Sequence, residues 1–191
     1  MNNTPLADAR ALRATASAFD AQRDKLPVPG PPRRAPDSVV VARQISELGE
    51  MMTDLGHEVL FRAVSQDRDA HTARVIASFA AAVGPVGEAA SALGSVANQL
   101  SLLDQTEHLR DRPDVREARE VAALVIGNAL GMADRALRDA ADALHAASAT
   151  VAPPSMWFQA ARSRSTTAAP SPTPALPPAA ATPPDRITRS R

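Results

Sequence analysis

The chain has 191 residues, with 21 basic and 21 acidic side chains, no cysteine and only 3% aromatic residues. The absence of cysteine excludes disulfides and thiolate metal sites. Balanced charge and few aromatic residues argue against specific nucleic-acid recognition, which draws on basic surface and base stacking, and against a strand-rich fold. Lys25 is the only lysine, and the bias towards arginine and alanine reads as the mark of a GC-rich bacterial genome.

The amino terminus "MNNTPLADAR" lacks a basic region followed by an apolar one, so no secretory signal is visible and a cytoplasmic location is expected. Thr4 followed by Pro5 reads as a helix start. Leu6, Ala9, Leu12, Ala16 and Phe19 recur at spacings of three and four, giving a short amphipathic accessory helix over 1–26. Alone in water such a helix is marginal, so it must dock on something or fray. "PVPGPPRRAP" then predicts an extended, proline-rich linker over 27–36. Its P-x-x-P-x-R arrangement at Pro29, Pro32 and Arg34 suits an SH3-type groove, but the motif is short and common, and a plain spacer is the preferred reading.

Asp37 is the expected N-cap of the first long helix. Val41, Ile45, Leu48, Met52, Leu55 and Val59 alternate four and three residues apart, the seam of a coiled coil or long bundle. Residues 65–69 are all polar, without glycine or proline; a helix continuing through to Val83 is preferred over a turn, with Leu60, Val64, His71, Val75 and Phe79 as a second stripe. Gly84 and Pro85 predict a break, glycine ending one helix and proline opening the next. After it come Ala90, Leu93, Ala97, Leu100 and Leu103. Pro113 opens the last long helix, with Asp114 and Glu117 in its first turn. That helix carries Val115, Ala118, Ala122, Val125, Ala129, Met132 and Ala136 on one line, and Ile126, Leu130, Leu137 and Leu144 on a neighbouring one.

In residues 75–103 Glu88 is the only charge, which raises the question of a membrane span. The stretch is long enough to cross a hydrocarbon core of about 30 Å. It is also mostly alanine, glycine and serine, with a central carboxylate costing about 2.5–3.5 kcal/mol on insertion and no aromatic or basic anchors. The soluble reading is preferred: Ala80, Gly84, Gly87, Ser91 and Ser95 let two helices approach closely, Glu88 faces water, and the uncharged segment 121–133 is the natural partner.

Motifs for enzymatic chemistry are missing: there is no activated serine elbow, no phosphate loop and no dinucleotide glycine pattern. Each histidine follows an aspartate by three or four residues: Asp54 and His57, Asp67 and His71, Asp104 and His108, Asp142 and His145. Such pairs on facing helices can hold metals, yet their mostly polar positions favour local helix support, and no cofactor or metal is expected. Glu58 with Arg62 and Asp134 with Arg138 have the favourable helical order. Beyond residue 150 the proline- and alanine-rich tail is expected to be disordered, carrying Met156, Trp157 and Phe158 as a docking motif or as a segment that packs back on the bundle.

The expected fold is therefore all-α: an elongated antiparallel, coiled-coil-like bundle of two or three long helices over 37–150, the accessory helix, and a disordered tail over 151–191. The expected role is that of a non-enzymatic structural or protein-interaction protein, without a small-molecule substrate. Its contacts, with another protein or a second copy, would be made by Val41, Ile45, Leu48, Met52, Leu55 and Val59, and by Met156, Trp157 and Phe158. The alternatives are a membrane-active hairpin of 75–103 with 121–133, and a metal-binding bundle.

Overall fold

In the chain, seen here as a computed structural model, residues 4–27, 35–64 and 70–152 are described. They form four α helices and no strand: α1 Thr4–Asp24, α2 Ser38–Val64, α3 Ala70–Gln105 and α4 Pro113–Val151, with a 3-10 turn at Glu107–Leu109 between the last two. The all-α bundle expected from the sequence is formed. Asp37 caps α2 as its type allows, its carboxylate accepting a bond of 2.8 Å from the Val39 N–H. Pro113 occupies the first turn of α4, where its missing N–H costs nothing.

Helix α3 is the central rail. Val75, Phe79, Ala82, Val86, Ala89, Leu93, Val96 and Leu100 are all buried, and their strict alternation of four and three keeps one face turned inward along the whole helix. Against it α4 sets Ala122, Ala129, Ala133, Ala136 and Ala140, also buried. Alanine on both sides lets the helices approach closely, so α3 and α4 share the most extensive contact, with α2 on α3 and α1 on α4 completing the bundle.

The ends are pinned by specific bonds. Ser148 Oγ donates to the Ala9 carbonyl at 2.8 Å, while Arg23 lies 3.7 Å from Asp134. These contacts fix α1 antiparallel to α4. Leu12, Ala16 and Phe19 of α1 belong to the same core as α3 and α4, so docking supplies the burial that the isolated helix lacks, about 1.5–3 kcal/mol for a fully buried Phe or Leu. Side chains bridge α1 and α2: Lys25 Nζ reaches Glu47 at 2.9 Å, and Gln44 Nε2 donates to the Lys25 carbonyl. At the other end Asp8 accepts from Arg62 at 3.3 Å and meets His71 Nε2 at 3.0 Å, while Arg62 lies 4.7 Å above the Phe79 ring.

Three sequence expectations are corrected. Helix α2 ends at Val64 and α3 begins at Ala70, and Arg62 of the one lies over Phe79 of the other, so the two pack side by side instead of forming one straight helix to Val83; residues 65–69 lie outside the described residues. Leu60 and Val64 consequently do not extend the stripe of Val75 and Phe79; they are exposed on α2. The Gly84–Pro85 break is also absent: α3 runs through both, and no glycine among the described residues has positive φ. An interior proline costs about 3 kcal/mol, which buried Phe79, Ala82, Val86 and Ala89 on either side offset. Finally, Ala80, Gly84, Ser91 and Ser95 are exposed rather than at a helix contact. Glu88 faces solvent as expected.

Candidate interaction surface

The α2 seam is consumed inside the chain. Val41, Leu48 and Leu55 are buried, and Ile45, Met52 and Val59 are partly buried and packed on the same core. They pack within the core that α2 shares with α3. Met156, Trp157 and Phe158 lie outside the described residues.

Apolar surface is uncovered elsewhere. On α4, Val121 and Met132 are each 54% exposed and Leu124 is 70% exposed, with Leu102 of α3 at 43%. The sequence line Val115, Ala118, Ala122, Val125, Ala129, Met132, Ala136 is thereby split. Ala122, Ala129 and Ala136 turn into the core, because alanine is what close approach to α3 admits. Ala118, Val125 and Met132, also seven apart, come to the surface: Ala118 and Met132 are exposed and Val125 is half-buried. Leu102 joins the start of this line, sharing a shallow hollow with Leu103, Val115 and Ala118.

This end of the α3–α4 hairpin is held by Arg119, which donates to the Leu103 carbonyl at 2.8 Å and pairs with Glu107 at 2.8 Å. One long side chain thus satisfies a carbonyl in the last turn of α3 and anchors the 3-10 turn. On the outer face of α4 exposed Asp114 and Glu117 stand near the start of the apolar line and exposed Arg135 just past its end, with Arg116 and Asp139, of the opposite signs, also exposed near those two ends. Asp114 is bridged to Arg112 at 3.1 Å and Arg138 to Asp134 at 2.6 Å. The space left by Gly131 is used by Arg135, whose Nη1 would lie 3.6 Å from a Cβ there, so the guanidinium folds back alongside the apolar line.

Two of the histidines make long-range ties to other aspartates, and Asp67 lies outside the described residues. His71 meets Asp8 and, at 3.1 Å, His145 meets Asp20; both are ties from α1 to the rest of the bundle. Among the described residues no group of three or more His, Asp or Glu side chains converges as a metal site would. The i,i+4 pairs Glu58 with Arg62 and Asp134 with Arg138 do form. A second exposed apolar group, Leu60, Phe61 and Val64, ends α2. Sequence reasoning missed the α4 face because it placed Val125 and Met132 in the core. The available signal was the 13-residue run without charge from Val121 to Ala133, which carries apolar side chains on more than one side, whereas a bundle covers only one.

No family model, curated protein or solved structure matches this chain.

Proposed function

We propose that this protein is a non-enzymatic interaction protein whose bundle presents the outer face of α4 to another protein surface. The observation that carries this reading is the uncharged run 121–133, whose outward side chains Val121, Leu124 and Met132 stand in solvent on a rigid helix. Contiguous exposed apolar side chains rimmed by charge mark interaction sites, and a straight helix face offers anchors without an entropic ordering cost. A photo-crosslinking residue at Val121 tests this in the producing cell. A discrete protein adduct, absent when Asp142 on the same helix carries the probe, supports the reading; adducts to lipid alone overturn it.

The membrane-active hairpin is the second reading, favoured by one observation: α3 is long and apolar enough, by length and composition, to cross a membrane. Against it stands the continuous inward face of α3, which the bundle already occupies. Flotation with liposomes separates the two, since a bundle that keeps α3 inside stays with the soluble fraction.

A further inference from the structure

We infer that the occupant of the α4 face is a second copy of this chain, packed α4 against α4 in antiparallel register about a two-fold axis passing near Val125. The inference rests on the interaction reading above and names its partner.

Ala118, Val121, Val125, Asn128 and Met132 are spaced three, four, three and four, so the exposed line is itself a heptad seam of two repeats, displaced from the buried one. A two-fold axis brings residue i of one copy to j of the other and j to i. Centred on Val125, it sets Ala118 against Met132, a small side chain against a long flexible one, and Val121 against Asn128. The same operation brings Asp114 of each copy to Arg135 of the other. Glu117 lies within a turn of that contact. This pair of opposite charges is made twice, once at each end of the seam. A parallel pairing would instead oppose acid to acid and base to base, which costs free energy.

From Asp114 to Arg135 the strip is about 33 Å long at 1.5 Å per residue and about 10 Å wide. It therefore buries a few hundred Å² on each copy, below the roughly 800 Å² of a standard interface. The pairing is accordingly reversible.

Light scattering coupled to size-exclusion chromatography on the full chain, across a wide concentration range, is the test. The mass should rise from 20.0 kDa towards twice that value as concentration increases. Val125→Glu, which opposes two carboxylates on the axis, should hold the mass at that of one chain while far-ultraviolet circular dichroism stays unchanged. Arg135→Asp alone or Asp114→Arg alone should weaken pairing about twofold to thirtyfold, since symmetry counts each surface ion pair twice. The two substitutions together should restore it, a rescue that a loss of helix stability would not give. A dimer indifferent to Val125→Glu overturns this face as the contact. One-chain mass at every concentration overturns self-pairing, and the oxidation rate of Met132 then judges the broader reading: rapid oxidation leaves the face open to a different protein, whereas protection means that the chain covers its own face and both readings fail.

Discussion

Gln22 and Gln44 are each only 3% exposed where α1 and α2 meet, and their unsatisfied atoms differ in consequence. Gln44 Nε2 serves the Lys25 carbonyl near the end of α1, whereas Gln22 Nε2 has no hydrogen-bond partner. Removing Gln44 orphans a carbonyl, whereas removing Gln22 takes away an unpaired Nε2 together with the Oε1 that accepts from Lys25 Nζ at 3.3 Å. Gln44→Met should therefore lower stability by about 1–3 kcal/mol and Gln22→Met by less; urea unfolding of the two variants checks the contrast. Beside them the hydrogen bond from Lys25 holds the Glu47 carboxyl below the ordinary glutamate range, with the charge of the same lysine acting in the same direction. Folding thus favours ionised Glu47. Its contribution is complete above the unfolded-state value and fades as pH falls through the lower folded value, so this join between α1 and α2 should weaken only in acid. A carboxyl-carbon titration followed by nuclear magnetic resonance should place Glu47 low, and Lys25→Met should return it to the ordinary range.

Each helix meets a different constraint, and these decided how legible it was. Helix α1 rests on few large side chains, so Phe19→Ala should cost about 3–5 kcal/mol and raise protease cleavage within α1 before the other helices yield. Helix α3 tolerates Pro85 against its propensity; Pro85→Ala should raise the thermal midpoint, since about 3 kcal/mol of interior-proline cost is partly relieved. Helix α2 was readable from sequence because charged residues such as Arg43, Glu50 and Asp54 mark its outer side, leaving Val41, Leu48 and Leu55 a single direction to face. The α3 row was readable only to within a neighbouring line: both Ala90 to Leu103 and Val86 to Leu100 are apolar, and no charge chooses between them. The same lack of charge hid the outward turn of Val125 and Met132, and hence the candidate face. The separation of α2 from α3 has no glycine or proline to signal it between Val64 and Ala70, and Pro85 carries a break signal that packing overrides. The ties of Asp8 to His71 and Asp20 to His145 join residues 63 and 125 positions apart, whereas spacing exposes only local partners.

As a whole the molecule is a set of successive hairpins with one exception. Helix α2 finds α3 next to it in the chain and α3 finds α4, but α1, the first helix, packs mainly on α4, the last. Roughly ninety residues separate Asp24 from Pro113, and α4 must itself emerge before Phe19 has its place. At about 5–20 residues per second, synthesis leaves the apolar stripe of α1 uncovered for about 5–20 s. Ribosome-bound chains arrested before Pro113 should accordingly show α1 open to protease, and release of the complete chain should close it. An amino-terminal helix is thus made first and seated last, so its protection during those seconds falls to the cell rather than to the fold.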